Sequence, residues 1–278
     1  MVPNVRPLFF KTISVALLAA ILGSGEATAG HLIAGQSNEQ LTPIQREIER
    51  QRRRLNSTDV EERRDALMRL GSLKRPDASR IAAGGLNDVA PIVRVTAMRA
   101  ISALPQAEAT TLLIPLLQDK SEFVRREAAY GLGLTHSRAA AAGLVNVLLT
   151  DKDAGVRGAA AVALGDIGDE SAVQPLSQVL TGRAEKKKKS NTGENQFVMR
   201  SAARSLGQIR SRSSVDVLIA TLANEANDND VRREAATALG LIGDPSAGPA
   251  LQTAFASTDP YLSEAAREAL RLLKLAKK

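Results

Sequence analysis

Residues with chemistry to offer are few and regularly placed. Five arginines, Arg63, Arg94, Arg125, Arg157 and Arg232, recur along the chain, and three aspartates, Asp88, Asp119 and Asp151, are interleaved with them. Guanidiniums and carboxylates at a fixed interval can bind anions, move protons or tie a fold together. Asp151 with Asp153, and Asn227, Asp228 and Asp230, offer oxygen donors of the calcium type, but they lack EF-hand spacing, and turn or N-cap duty explains them more simply. The histidines, His31 and His136, have no neighbour at metal-ligand spacing. The chain has no cysteine, which excludes disulfides, thiolate nucleophiles, iron–sulfur clusters and cysteine-bound zinc. There is no P-loop, G-x-S-x-G or dinucleotide glycine signature, and Gly84-Gly85 reads as a loosened helix rather than a phosphate cradle. No catalytic residue, metal or cofactor is expected.

The elements that position these residues must form without large side chains. Of 278 residues 44% are hydrophobic and 24% charged, but there are only five Phe, two Tyr and no Trp, so a core must be built from small aliphatics. The first residues read as an address. Arg6 and Lys11 precede an uncharged stretch from Thr12 to Gly25 with its apolar heart at Ile13 to Leu22, and Ala27-Thr28-Ala29 forms an A-x-A site. This pattern predicts a secretory signal peptide over 1–29, cleaved before Gly30, because the apolar run is shorter than the roughly 18 residues of a spanning helix. Residues 30–40 are expected to form a flexible leader. The localisation implied is export, to the periplasm first, with the cell exterior or a thylakoid lumen also open. Cleavage removes two basic residues and one acidic, leaving 35 against 29, a net charge of +6. That excess suits an anionic envelope polymer as readily as plain solubility, while export argues against nucleic acid.

From 41 to 278 one pattern recurs seven times, most clearly as VRREAAYGLG from Val124, VRGAAAVALG from Val156 and VRREAATALG from Val231. The other copies begin at Glu62, Val93, Val198 and Leu262, with spacings of 31, 31, 32, 42, 33 and 31 residues. Position 5 of this frame is always alanine (Ala66, Ala97, Ala128, Ala160, Ala202, Ala235, Ala266), and position 9 is always Leu or Ile (Leu70, Ile101, Leu132, Leu164, Leu206, Leu239, Leu270). Positions 1, 5 and 9 share one stripe of a 3.6-residue helix, which predicts a buried seam with a small residue at its middle. Ala172, outside the frame, is expected to tolerate a larger side chain than Ala128 or Ala160. Second helical segments lie between the frames, such as Ala109 to Gln118 and Ser214 to Leu222, so each unit is a helix hairpin that must stack on its neighbours to bury its apolar face. Gly168-Asp169 and Gly243-Asp244 fit a helix C-terminal glycine followed by an N-cap, and Thr42-Pro43-Ile44-Gln45 fits a capping box opening an amphipathic first helix.

These residues resemble HEAT repeats, and more closely the HEAT-like repeats of the phycobilisome-lyase type, whose pattern D-x-D-x-x-V-R-x-x-A-A-x-A-L-G-x-I-G-D is followed from Asp151 to Asp169. The fold class is all-α, an α-solenoid of about seven HEAT-like helix hairpins. The resemblance implies that the frame arginines and Asp88, Asp119 and Asp151 are structural, tying adjacent repeats through their turns. Met199 and Ser263 interrupt the arginine series, so repeats five and seven are expected to be held less firmly. The resemblance also implies that the second helix of each hairpin lines the concave side, which makes Arg126, Glu127, Tyr130, Arg200, Arg204, Arg233 and Glu234 the expected binding residues. The 42-residue spacing marks a basic insertion, residues 182–196, whose Lys186, Lys187, Lys188 and Lys189 form a solvated run or an electrostatic latch. Iron hydroxylases of this repeat class use His-Glu dipeptides, which are absent here. The functional expectation is an exported, non-enzymatic scaffold or adaptor for a partner protein, with a phycobilin-lyase-like protein binding a linear tetrapyrrole as the alternative.

Overall fold

The computed structural model describes residues 41–182 and 195–276. Residues 1–40, where the signal peptide and the leader with His31 are expected, the lysines Lys186 to Lys189 and the last two lysines lie outside the described residues. The chain forms two units, 1–46 and 47–278. In the first, Thr42 and Gln45 make the reciprocal capping box: the Gln45 amide donates to Thr42 Oγ1 at 3.2 Å and the Thr42 amide to Gln45 Oε1 at 2.9 Å.

The described residues contain fourteen α-helices and no strand: α1 (Pro43–Arg54), α2 (Val60–Ser72), α3 (Pro76–Ala82), α4 (Pro91–Ala100), α5 (Gln106–Leu113), α6 (Glu122–Leu134), α7 (Ala141–Thr150), α8 (Ala154–Ile167), α9 (Val173–Leu180), α10 (Gln196–Ile209), α11 (Val215–Ala223), α12 (Asn229–Ile242), α13 (Gly248–Phe255) and α14 (Pro260–Ala276). The seven even-numbered helices carry the frame, and each begins two residues before it. The reason is local. Asp59, Asp153, Asn195, Asp228 and Asp259 each stand just before a helix and accept a hydrogen bond from a first-turn amide, while Pro91 opens α4 with a fixed φ.

The frame alanines at position 5 are fully buried in all seven repeats, as are the position 9 residues of repeats one to six; Leu270, in the last described helix, is only half-buried. The frame helices stack on one another in order, α2 through α14, with α3, α5, α7, α9, α11 and α13 packed against them as the other half of each hairpin. Gly168 and Gly243 adopt left-handed φ of 69° and 74°, and Asp169 and Asp244 cap the following turns. One expectation is corrected. Ala172 is fully buried, because the short turn Glu170–Ala172 leads directly into α9 and draws it into the core. No described helix is long and apolar enough to cross a membrane.

Closeness between frame helices comes from a glycine rule. At frame position 10, Gly71, Gly133, Gly207 and Gly240 each face the residue at position 8 of the next repeat so tightly that an added Cβ would lie 3.0, 2.9, 2.7 and 2.7 Å from the Cα of Ala100, Ala163, Ala238 and Ala269. Any side chain there would force the stack apart.

Candidate functional site

The arginines and aspartates form a relay through the first four repeats. Arg63 forks onto Asp88 through Nε (2.6 Å) and an Nη (2.9 Å), Arg94 reaches Asp119 at 2.7 Å, and Arg125 forks onto Asp151 at 2.6 and 3.0 Å. Each arginine also donates back into the turn before its own helix: Arg94 to the Asp88 carbonyl (2.7 Å), Arg125 to that of Asp119 (2.9 Å) and Arg157 to that of Asp151 (2.8 Å). Every aspartate therefore joins two arginines, one through its carboxylate and one through its carbonyl. The pairs are buried, with side-chain exposures of 6–12%. Burial pushes the Asp151 carboxyl up, but the Arg125 guanidinium and the Asp153 amide outweigh it and hold the group below the ordinary carboxylate range. The same balance, set by Arg63 and the Ala90 amide, depresses Asp88. Spent on one another across the turns, such groups fasten each repeat to the next. Arg232 behaves differently: it donates to the Leu222 carbonyl at 2.9 Å and to Asn229, because Ser257 stands where an aspartate would be needed.

The accessible chemistry lies on another side of the frame helices. The residue before the frame and positions 3, 4, 7 and 11 fall within about 100° of helical arc, away from the seam. Three aromatic residues precede their frames, Phe123, Phe197 and Tyr261, and each has an arginine at position 3 over its ring. Arg126 is 5.6 Å from the Phe123 centroid, Arg200 5.7 Å from Phe197, and Arg233, from the preceding repeat, 5.6 Å from Tyr261. Gly158 occupies position 3 of repeat four, and the Phe197 ring lies against it so closely that an added Cβ would sit 2.1 Å from Cε1. Asp230 bridges the end of this row, pairing with Arg233 and with Arg200 (3.4 Å), whereas Arg126 has no carboxylate partner among the described residues.

The expected binding residues are thus divided. Arg126, Arg200 and Arg233 join the aromatic row. Arg204 is exposed and Glu234 half-buried on the same helices, outside those pairs. Glu127 and Tyr130 belong to a cleft that sequence reasoning missed. About 500 Å³ in volume, it opens between α4, α5 and α6, walled by Val95, Met98, Ile101, Leu104 and Leu113. Tyr130 and Leu134 form its lip, 37% and 77% exposed, and an Arg99–Glu127 ion pair of 3.3 Å stands at its mouth. Its cause is a departure from the glycine rule. Repeat two carries Ser102 at position 10, and the glycine sits instead on the facing helix as Gly131. Leu104 precedes Pro105 and is disfavoured from helix, and α4 stops at Ala100, short of the final turn that α6 and α8 possess. The swapped glycine and the proline were the available signals.

A model of HEAT repeats matches residues 51–133, 110–190 and 191–271. The chain belongs to the HEAT-repeat family. Among solved structures, this HEAT-repeat chain is similar to the Escherichia coli protein YibA (20% identity, TM-score 0.58, covering 83% of this chain and 82% of that one). It is also similar to an engineered protein (22%, TM-score 0.52, 82% and 68%), and to the complex of CpcE and CpcF of phycocyanin lyase from a Nostoc species (22%, TM-score 0.49, 91% and 99%). At these identities the likeness shows the fold alone. None of the curated proteins matches the sequence.

Proposed function

We propose that this protein is an exported, non-enzymatic HEAT-repeat scaffold that binds a partner protein along the exposed face of its frame helices. The observation that supports this reading is the row of three arginine–aromatic pairs on that face. A ring beneath a guanidinium holds it for about 0.5–1 kcal/mol at an exposed site; Arg200 and Arg233 share Asp230, while Arg126 has no carboxylate partner among the described residues and can take one from a partner. Aromatic and arginine side chains are also the types that dominate protein interfaces. The contact is polar and charge-led, so it weakens as salt rises. The test is charge reversal of the row: Arg126→Glu with Arg200→Glu and Arg233→Glu should abolish crosslinking of the exported protein to its neighbours while leaving its melting temperature close to wild type. Undiminished crosslinking would move the binding face elsewhere. Export itself is tested by N-terminal sequencing of the fractionated protein, with Gly30 as the expected first residue.

A further inference from the structure

We infer that arginines close both ends of the repeat stack, and that Arg69 and Arg271 are what keeps copies of this chain from joining head to tail into a polymer. All six described junctions obey one packing rule, whatever the face of the stack binds. Position 10 of one repeat stands opposite position 8 of the next, and the pair is always one glycine and one residue no larger than serine. Four junctions hold glycine against alanine, Gly165 faces Ser205, and the second junction carries the same types in the opposite order, Ser102 then Gly131. The space admits two such residues and no more: a Cβ added to Gly207 or Gly240 would already lie 2.7 Å from the facing Cα.

A stack of like repeats carries a liability at its ends. The last repeat presents the side that receives another repeat and the first presents the matching side, so a second copy would continue the array through a contact that never closes on itself. The two positions that would meet in that contact are 271 and 69, and both hold arginine. Arg271 forks onto Glu268 at 2.7 and 2.5 Å. Arg267 forks onto Glu264 at 2.9 and 2.6 Å, and it stands at position 6, where repeats three to six carry fully buried alanine. At the other end Arg69 is exposed and has no ion-pair partner among the described residues. Leu270 marks the open end of the seam, half-buried where position 9 is fully buried in every other repeat. Joining two copies would set two long, like-charged side chains where the rule admits a glycine and an alanine, and would strip water from the Glu264 and Glu268 pairs.

The experiment is sedimentation velocity of the exported full chain at concentrations up to about 100 µM. Wild type should be monomeric throughout. Arg69→Ala with Arg267→Ala and Arg271→Gly restores the common pairing, and Arg69→Gly with Arg267→Ala and Arg271→Ser restores the reversed one. Each should give a ladder of species whose mean mass rises with concentration to at least about threefold the monomer, as a head-to-tail contact with a dissociation constant of about 50 µM produces. Two restorations by different residues guard against misfolding of either, and melting temperatures check that both retain the fold. Variants opened at one end only, Arg69→Ala alone or Arg267→Ala with Arg271→Gly, should stay monomeric, because an arginine remains on the facing end. Self-association of wild type overturns the proposal, as do restored variants that melt like wild type and remain monomeric. A one-end variant that assembles as strongly as the restored ones also overturns it, and so does assembly that stops at a dimer, since a head-to-tail contact has no reason to stop there.

Discussion

In repeats one to three, each frame arginine reaches the aspartate of the next turn, Arg63 to Asp88, Arg94 to Asp119 and Arg125 to Asp151. Before repeats five, six and seven the equivalent places, 193, 226 and 257, hold Gly, Ala and Ser, and the stack there keeps the glycine contacts without the aspartate, closest at Gly207 and Gly240. Glycine against alanine sets the distance in both halves, at Gly71 and Gly133 as at Gly207 and Gly240, and the first half adds direction to it. A forked ion pair fixes orientation and fails when a charge is lost, whereas a glycine contact fixes distance and fails when volume is added.

The largest effect should follow from breaking the directional half. Asp151→Ala leaves the Arg125 guanidinium buried without its carboxylate, a loss of about 3–5 kcal/mol. Asp259→Ala in the other half removes an N-cap to Leu262 and a bond from Asn229, worth about 1 kcal/mol. Urea midpoints compare the two, and equal shifts would erase the distinction. Next in size, Gly207→Ala and Gly240→Ala should each cost about 1–3 kcal/mol, because the new methyl meets backbone that cannot rotate away. Gly84→Ala, with open space around it, should stay within about 0.5 kcal/mol of wild type.

Acid should act on the relay. The Asp88 and Asp151 carboxyls are depressed in the folded state, so the stability they contribute is complete above the unfolded carboxylate range near pH 4 and is lost as pH falls through their folded values. Melting temperatures should be level from pH 7 to 5 and drop below about pH 4, less steeply in Asp88→Asn with Asp151→Asn. The slope will not vanish, because the Ser246 amide depresses Asp244 and the Leu262 amide depresses Asp259. The smallest expected difference is in hydrogen exchange, where amides of α12 and α14 should exchange sooner than those of α6 and α8.

Much of this was legible in residue order, because stacking allows one small residue and one aliphatic at fixed turns of every helix. Ala66 through Ala266 and the glycine–aspartate turns declare themselves on periodicity alone. The exposed face was harder to read. Phe123, Phe197 and Tyr261 occur in alternate repeats, and what gives them meaning is which arginine lies over each ring, a matter of neighbouring repeats rather than of spacing. Ala172 misled because a buried alanine in a turn has no period to announce it. The cleft was hidden in a single exchange, Ser102 for Gly131, whose effect depends on how far α4 continues. Left-handed helix ends were equally obscure at Lys74, His136 and Arg210, which adopt that conformation without glycine.

The 42-residue spacing falls between α9 and α10, beyond the last Arg–Asp pair, and yet the two sides meet fully: Phe197 lies on Gly158, Ser205 Oγ donates to the Ala161 carbonyl at 2.8 Å, and Ser211 donates to Glu170. Covalent continuity adds little to an interface already complete in side chains. A polypeptide made as two fragments, parted between 182 and 195, should reassemble on mixing, and either fragment could be exchanged for its counterpart from another array whose edge carries the same ring-and-glycine fit.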